Sequence, residues 1–424
     1  MVGMRDVARK AGVSLSTVSL AVNGTGYVAD ATRERIEAAM AELNYVPNEL
    51  ARNLFRGRTN LIGVTIPTVA HPFFAQLTAA LQRHLHDVGL RMMLCSTADQ
   101  ERGESEYIDM LKRQMMDGII IGSHTNQRPE YWQGIGRPVV AFDRFLGEGI
   151  SSVCSDHVQG AHLAARLLID SGVRHVVEIG GPRSQFHDLA GSSNAGDADD
   201  ESFASVLSAT MDADDTTFPT VRYHLTFERD LAEAGVRCDY VAVDHVSDPS
   251  LFEKAAEDAI RRFPDADAII APDLAAAHCV RLALREERVA AAAAAGSSVS
   301  GSVRRIPDDL QIIAYDGTTA AELAGMTLTV IRQDLDAIAA KLVERMREAI
   351  AAENDADSHG KRERSSVSAS ESGAVGSESD VSGVDSGATA TAAERPGSLS
   401  EASSSVAASC DLIPVTLVRG ETTR

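Results

Sequence analysis

The apolar residues of the first 43 positions recur at the three- and four-residue spacing of amphipathic helices. Val7 and Ala11 share one face of a first helix, and Val18 and Val22 share one face of a second. A third helix is predicted from about 31 to 43. Three short apolar stripes can close one small core, so the pattern predicts a three-helix head.

The link between the first two helices carries the residues of a tight turn. Gly12 supplies the turn, Ser14 is placed to cap the second helix, and Gly24 ends it. The second helix then presents the following residues outward: Leu15, Ser16, Thr17, Ser19 and Leu20. A helix displayed in this way can enter the major groove of double-stranded DNA. The pattern therefore predicts a helix-turn-helix DNA-binding head.

After Asn60 the pattern changes to short apolar runs that alternate with amphipathic helices. The runs predicted as strands are 61–67, 91–97, 118–122, 138–143, 175–181, 240–244, 268–272, 310–317 and 412–418. Helices are predicted between them at 73–88, 159–171 and 250–263. This alternation is typical of βαβ units, so we expect an α/β core with parallel sheets.

The charge is distributed unevenly over the 424 residues. The whole chain has a net charge of −21, yet residues 1–58 hold eight Lys/Arg against six Asp/Glu, a net +2. An acidic body repels the phosphate backbone, whereas the N-terminal end tolerates it. We therefore expect only the N-terminal end to face DNA.

The cysteines and the apolar runs indicate the cellular compartment in which the protein is expected. Five cysteines, at 95, 154, 238, 279 and 410, are widely spaced and form no CxxC pair. This favours buried thiols over a disulfide framework or a zinc site. No apolar run resembles a signal peptide or a membrane span, so we expect a cytoplasmic protein without membrane association.

Motifs in the first 54 residues resemble the LacI/GalR family of bacterial transcriptional regulators. The matching stretches are DVARKAGVS (6–14), TVS (17–19), VN (22–23), TRERIEAAMAELNYVPN (32–48) and LARNL (50–54). A helix-turn-helix pattern alone is weak support. Joined in this order to a short helix and an α/β core, it is a specific combination.

The resemblance implies three parts. A helix-turn-helix domain covers 1–46, a hinge helix covers 47–59, and an effector-binding and dimerisation domain covers 60–424. That last domain is expected to resemble periplasmic sugar-binding proteins, with two Rossmann-like lobes. A homodimer bound to an operator is implied as well.

The resemblance also implies roles for residues of the head and hinge. Leu15, Ser16 and Leu20 are expected to contact bases. Positions that match phosphate contacts are Thr17, Ser19, Asn23, Tyr45 and Asn48. Many family members carry Arg where this chain has Leu20, and many carry a capping Ser where it has Ala29. The operator is therefore expected to depart from the usual family sequence.

Leu54 is the hinge residue of most interest. The resemblance implies that it inserts into the minor groove at the operator centre and kinks the duplex. The alternative is that Leu50 and Leu54, four apart, are core residues of a helix that is always folded.

Open parallel sheets bind ligands where their strands end, and polar or aromatic residues follow several predicted strands. The resulting effector-site candidates are His71, Phe73, Phe74, Asp143, Asp273 and Asp316. Carboxylates accept hydrogen bonds from sugar hydroxyls and aromatic rings pack on pyranose faces, so the set favours a carbohydrate. Helix capping or a salt bridge between lobes is the alternative for Asp143 and Asp273. Of the adjacent Phe73 and Phe74, one is expected in the cleft and one in the core.

The family's effector-binding arginine is displaced in this chain. HDLAG (187–191) has the family spacing but carries Asp188 at the arginine position. The helix-like stretch 221–235 supplies Arg222 instead, one position out of register, and Arg222 is the arginine we favour.

Three segments interrupt the alternation of strands and helices. Residues 184–220 are acidic, 290–303 are rich in Ala, Ser and Gly, and 352–409 are rich in Ser, Ala and Glu. The last two have too few large apolar residues to form a core, so we expect disordered insertions there.

These features predict a dimeric repressor of carbohydrate-utilisation genes that is controlled by a sugar bound between two lobes. No Walker loop, GxSxG, HExxH or complete GxGxxG is present, so neither an enzyme nor a cofactor or metal is expected. One alternative keeps the fold but uses a phosphocarrier protein or a nucleobase as corepressor. Another is a sugar-processing enzyme with a DNA-binding head.

Overall fold

A computed structural model describes the head and most of the α/β core. The described residues are 2–24, 26–47, 58–97, 104–123, 127, 129–183, 220–245, 247–294, 304–371 and 410–424. The predicted hinge helix lies almost entirely outside them. Among the described residues, no helix is both long enough and apolar enough to cross a membrane.

The head contains the three predicted helices, α1 (Met4–Ala11), α2 (Leu15–Asn23) and α3 (Asp30–Glu42). Gly12 and Gly24 end the first two helices in the left-handed conformation, each at φ +66°. The Ser14 hydroxyl accepts a hydrogen bond from the Thr17 amide at 3.0 Å and so caps α2. Ala29 offers α3 no side-chain cap, as its sequence predicted.

Lobe 1 is built on a fully parallel sheet with the strand order β11-β5-β4-β3-β1-β2. Its strands are β1 (Leu61–Ile66), β2 (Arg91–Ser96), β3 (Gly118–Ile121), β4 (Val139–Phe142), β5 (Ser152–Ser155) and β11 (Cys410–Ile413). Its helices are α4 (Pro72–Asp87), α5 (Ser105–Lys112), α6 (Pro129–Gln133) and α12 (Leu335–Glu371). Leu81 of α4, Leu342 of α12 and Val64 of β1 belong to one buried cluster of the lobe 1 core.

Lobe 2 repeats the plan with the strand order β12-β10-β9-β8-β6-β7. Its strands are β6 (His175–Gly180), β7 (Arg237–Ala242), β8 (Ala268–Pro272), β9 (Gln311–Asp316), β10 (Thr329–Arg332) and β12 (Thr416–Val418). Its helices are α7 (His157–Asp170), α8 (Val221–Glu233), α9 (Pro249–Arg262), α10 (Asp273–Ala294) and α11 (Thr319–Glu322). Only β12 runs antiparallel to its neighbour, β10, among these strands.

The chain passes between the lobes at three short crossovers. The first lies between β5 and α7, the second between β10 and α12, and the third between β11 and β12. Because each crossover is only one or two residues long, the lobes stay adjacent and a cleft forms where the strands end. The predicted two-lobed α/β core is confirmed.

Several predicted bounds are wrong. Strands β5 and β10 were not predicted, and the single strand expected at 412–418 is two strands in different sheets. Helix α10 extends to Ala294 and α12 to Glu371, so the expected insertions do not begin at 290 and 352. Residues 295–303 and 372–409 lie outside the described residues, as does the acidic segment up to 219.

Asp117 holds the chain where it enters the first strand of lobe 1. Its carboxylate is buried and accepts hydrogen bonds from the Thr59 amide at 2.7 Å, the Thr59 hydroxyl at 2.8 Å and the Asn60 amide at 2.7 Å. Asn60 has a left-handed backbone, at φ +55°. These bonds fix the direction in which the chain leaves the core toward the predicted hinge.

Replacing Asp117 by Ala should lower the free energy of unfolding by about 1–3 kcal/mol, because three donors lose their charged acceptor. Urea unfolding of the full chain measures it. Asp109→Ala, which removes an exposed carboxylate from α5, is the matched control and should change stability by less than about 0.5 kcal/mol. Equal effects of the two substitutions would show that Asp117 does not hold this junction.

Candidate DNA-binding face and effector cleft

Helix α2 displays most of the residues predicted to contact DNA. Leu15 and Leu20 are 42% and 36% exposed. Ser16 is exposed, and Thr17 and Ser19 are half-buried. The helix therefore offers an apolar and hydroxyl-bearing surface that suits thymine methyl groups and phosphate oxygens.

Two predicted phosphate contacts are held within the head. Asn23 is buried, and its amide nitrogen donates to the Ser19 hydroxyl at 3.0 Å. Tyr45 is half-buried and packs on the head core. Asn48 and Leu54 lie outside the described residues. Sequence reasoning missed Tyr27, which is 92% exposed in the loop between α2 and α3.

A cleft of about 200 Å³ lies between the two lobes. Five of the seven predicted effector residues line it: His71, Phe73, Phe74, Asp143 and Asp316. They come from the ends of β1, β4 and β9, as expected for a site at the carboxyl ends of parallel strands. Their contact with a ligand remains a prediction.

Aromatic rings form the wall of the cleft in lobe 1. Phe73 stacks on Phe142 with ring centroids 5.9 Å apart, and Phe74 meets Phe73 edge to face at 5.3 Å. Both phenylalanines line the cleft, so the expected division between cleft and core is wrong. Phe73 is the buried one of the two, and it belongs to the lobe 1 core as well.

His71 lies where the lobes touch. Its ring is 5.3 Å from that of Phe252 in lobe 2 and 5.7 Å from that of Phe74 in lobe 1. The side chain is 7% exposed, and its Nδ1 has no hydrogen-bond partner among the described residues. Burial lowers the pKa of His71 from 6.5 to about 4, so the ring is neutral at pH 7.

A hydrogen-bond chain connects Asp143 of lobe 1 with Tyr315 of lobe 2. His157 links them, with Nε2 at 2.9 Å from the Asp143 carboxylate and Nδ1 at 2.8 Å from the Tyr315 hydroxyl. A carboxylate only accepts, so in the neutral ring Nε2–H donates to Asp143, and Nδ1 accepts from Tyr315. Asp143 adopts a left-handed backbone, at φ +45°, which sets its direction at the strand end.

Asp316 belongs to a second connection between the lobes. Its carboxyl group accepts a hydrogen bond from Gln333 Nε2 at 2.8 Å, and Gln333 Oε1 accepts one from the Ser155 hydroxyl at 2.5 Å. Burial, with the nearby Asp273, raises the pKa of Asp316 well above its usual range. This shift favours the protonated form of Asp316, which can both donate and accept.

Asp273 is not on the cleft wall, although it was predicted there. It is fully buried, and its carboxylate accepts hydrogen bonds from the backbone amides of Gly317 and Thr318. Burial raises its pKa to about 6. Asp273 thus supports the loop that follows Asp316, which is close to the capping role considered as the alternative.

Arg222 does not line the cleft either. It is exposed in the first turn of α8, whereas its neighbour Tyr223 is buried and lines the cleft. Adjacent helical residues point about 100° apart, so the one-position difference in register decides which side chain faces inward. Arg144, which follows Asp143 at the end of β4, also lines the cleft, and the lining residues missed by sequence reasoning include His157, Tyr223, His224, Phe252 and Tyr315.

Behind the lobe 2 wall, Glu178, Glu228 and Cys238 place ligand atoms within 4.8 Å of one another. The Arg183 guanidinium pairs with Glu228 and lies 3.9 Å from the centroid of the Tyr240 ring. Burial raises the pKa of Cys238 well above its usual range, so this thiol keeps its proton. The arrangement is that of a buried ion pair rather than a metal centre.

Two lobes around a cleft, joined in one chain to a helix-turn-helix head, define a ligand-binding DNA regulator. Sequence models of known protein families match the same parts of the chain. The model for bacterial regulatory proteins of the lacI family matches residues 3–48, and that for periplasmic binding proteins and the sugar-binding domain of the LacI family matches 59–192. A model of periplasmic binding protein-like domains matches 202–369.

Relatives cover most of the chain. The ribose operon repressor of Halalkalibacterium halodurans is 30% identical over 346 residues, 81% of this chain and 89% of that protein. The sucrose operon repressor of Pediococcus pentosaceus is 40% identical over 173 residues, 41% of this chain and 53% of that protein. The lac repressor dimer bound to its operator and the anti-inducer ONPF matches with a TM-score of 0.65 at 19% identity, covering 100% of this chain and 99% of that one.

The chain belongs to the lacI family of bacterial regulatory proteins. The expectation of a DNA-binding transcriptional regulator rather than an enzyme is thereby confirmed.

Leu15→Ala and Leu20→Ala should each lower affinity for a specific operator by about 1–2 kcal/mol, because each removes an apolar contact in the groove. Operators are first selected from random duplex DNA with the wild-type protein, and affinities are then measured at one salt concentration. Val2→Ala, at a residue of equal exposure (41%), is the control. Unchanged operator affinity in both variants would place base recognition elsewhere.

His71→Asn should make stability less dependent on pH. A pKa of about 4 in the folded chain against 6.5 unfolded corresponds to about 3 kcal/mol of stability. This contribution is present above pH 6.5 and lost as the pH falls through 4. It is measured as the difference between wild type and variant in urea unfolding from pH 7 to 4.

The comparison of wild type with His71→Asn is essential because Asp273 titrates over the same pH range and changes the stability in the opposite direction. Its raised pKa of about 6 contributes stability below pH 3.8 that is lost as the pH rises through 6. The two effects partly cancel in the wild type. Identical pH profiles of wild type and His71→Asn would show that His71 is hydrated in the folded state.

Proposed function

We propose that the protein is an operator-binding repressor of carbohydrate-utilisation genes, acting as a homodimer in the cytoplasm and controlled by a sugar in the cleft. The observation that carries the proposal is the cleft itself. It presents the carboxyl groups of Asp143 and Asp316 and the rings of Phe73 and Phe74 to one space that both lobes enclose. The names of the ribose and sucrose operon repressors support the same class of ligand.

The chemistry of the cleft suits a neutral polyhydroxylated ring. Burial shifts Asp316 toward its protonated form, which offers both a donor and an acceptor. Asp143 is the acceptor of a His157 bond and has further lone pairs. The phenylalanine faces exclude water and pack on the apolar side of a pyranose or furanose.

Ligand binding is coupled to the relative position of the lobes. Gln76 Nε2 of lobe 1 donates to the Thr319 hydroxyl of lobe 2 at 2.9 Å, and His71 touches Phe252. The lobes are therefore closed on each other. A ligand that bonds to both Asp143 and Asp316 binds this closed arrangement more tightly than an open one, and so shifts the population toward it.

A dimer presents two heads to two half-sites of an operator. The closed or open state of the lobes then sets the spacing of the two heads through the segment that leaves Thr59. Asp117 holds the start of this segment against the lobe 1 sheet through its bonds to Thr59 and Asn60.

Asp143→Asn and Asp316→Asn should each weaken binding of the effector sugar by about 1–3 kcal/mol, because each alters a hydrogen bond in a closed cleft. A panel of mono- and disaccharides is titrated by calorimetry into wild type and both variants. Asp170→Asn, an exposed position on α7, is the control.

Operator binding without sugar should persist in all three variants. Equal sugar affinity in wild type, Asp143→Asn and Asp316→Asn would place the effector site elsewhere. A wild-type protein that binds its selected operator but no sugar of the panel would overturn the proposed effector class and leave the DNA-binding function standing.

A further inference from the structure

Two thiols of lobe 1 lie in contact across neighbouring strands. Cys154 is on β5 and Cys410 begins β11, and their sulfur atoms are 3.5 Å apart. In the parallel ladder, Cys410 pairs with Ser152 and Leu412 with Cys154. Residues two apart on a strand share a face, so both thiols project from the same side of the sheet.

The two thiols differ in access. Cys154 is 1% exposed, whereas Cys410 is exposed at the first residue of an edge strand. A disulfide has an S–S distance of about 2.05 Å, so the sulfurs must approach by about 1.5 Å. Cys410 pairs with Ser152 and is therefore a diagonal neighbour of Cys154, so closing the bond needs a shift of the first residue of β11 as well as rotation of its side chain.

The surroundings favour the thiolate of Cys410. The hydrogen bond with Cys154 and the positive charge of Arg222 lower the pKa of the Cys410 thiol to about 7, against the opposing effects of burial and of Asp143. A thiolate is the nucleophile of thiol chemistry. Arg222 therefore favours the Cys410 thiolate, although it does not line the cleft.

The other three cysteines provide a contrast within the same chain. Burial raises the pKa of Cys95 and of Cys279 to about 12, and it raises that of Cys238 well above its usual range. These thiols keep their protons and have little access to solutes. Selective chemistry at Cys410 is therefore expected.

We propose that Cys410 and Cys154 form a reversible oxidation site that takes hydroperoxides and closes an intramolecular disulfide. The Cys410 sulfur attacks a peroxide oxygen, the O–O bond breaks, and the leaving hydroxide is protonated to water, which leaves a sulfenic acid. The Cys154 sulfur then attacks the sulfenic sulfur, the S–O bond breaks, and its thiol proton leaves with the hydroxyl group as a second water. Two thiols and one hydrogen peroxide give one disulfide and two waters, and a dithiol reverses the reaction by exchange.

The disulfide would join two neighbouring strands of lobe 1, β5 and β11, each of which leads into a crossover between the lobes. Strand β5 leads into the first crossover and β11 into the third, and the Asp156 amide donates to the Ile413 carbonyl at 2.8 Å where both strands end. The Ser155 hydroxyl beside them donates to Gln333 of the second crossover. Oxidation at this position is therefore placed to restrict the lobe movement without occupying the cleft. This inference does not depend on a sugar being the effector.

The test uses the reduced full-length protein and hydrogen peroxide in slight excess, with thiol counting and peptide mass spectrometry. The expected result is loss of two of the five thiols and a Cys154–Cys410 linked peptide, both reversed by dithiothreitol. Cys410→Ser should consume no thiol on this timescale. Cys154→Ser should stop at a sulfenic acid on Cys410, detected with dimedone, and Cys154→Ala serves if the serine variant does not fold.

Cys238→Ser is the matched control and should form the same linked peptide at the same rate. Arg222→Gln should slow alkylation of Cys410 by iodoacetamide several-fold at pH 7, a readout that a purely structural role of Arg222 would not change. Oxidation of wild type at other cysteines first, or only links between chains, would overturn the proposal. So would a Cys410 sulfenic acid that persists in wild type while Cys154 remains a free thiol.

Discussion

His157 connects the two lobes through both nitrogen atoms of its ring, and the cleft depends on this connection. One nitrogen is bonded to Asp143 at the end of a lobe 1 strand and the other to Tyr315 in lobe 2. The ring is buried, so water does not compete for either hydrogen bond. A change in the angle between the lobes must therefore either lengthen the bond between His157 and Asp143 or move Asp143 together with His157. A residue on the cleft wall is therefore coupled to the arrangement of the whole core.

Burial rather than ion pairing shifts the pKa values of three polar groups of the cleft, Asp316, His71 and Tyr315. Asp316 and His71 both shift toward their neutral forms because the surrounding rings exclude water. Burial also raises the pKa of Tyr315 well above its usual range, so its hydroxyl keeps the hydrogen that His157 accepts. Where these groups are neutral, they select a ligand by its shape and hydrogen bonds, and they avoid the desolvation cost of fixed charges.

The last fifteen residues of the chain complete both sheets. Strand β11 extends the lobe 1 sheet beside β5, and β12 pairs with β10 in lobe 2. The buried Thr422 then donates to the Ile312 carbonyl at 2.6 Å, and a side chain at Gly420 would collide with the Thr327 carbonyl. The segment after α12 thus returns to the core at a defined place, and this return brings Cys410 beside Cys154.

Local features of the fold were predictable from the sequence because short-range interactions decide them. Gly12, Ser14 and Gly24 set the ends of the head helices through backbone conformation and capping, and long apolar runs predicted most strands and the two-lobed core. Strands β5 (SVCS) and β10 (TVIR) hold only two apolar residues each between polar ends, unlike the equally short β3 (GIII) and β4 (VVAF), and they are strands because of the neighbours with which they pair.

The candidate site was predicted where a side chain follows directly from its strand, as for His71, Asp143 and Asp316. It was missed where helix rotation or chain crossing decides the outcome. Arg222 and Tyr223 differ by one position on the helix, and only Tyr223 faces the cleft. Asp273 instead accepts a hydrogen bond from the backbone of the loop after Asp316. The contact between Cys154 and Cys410 spans 256 residues of sequence. The sequence alone determined the head helices, their turns and most strands, whereas packing between distant segments decided the short strands β5 and β10 and which side chains meet, because those contacts depend on the relative placement of elements that no local pattern encodes.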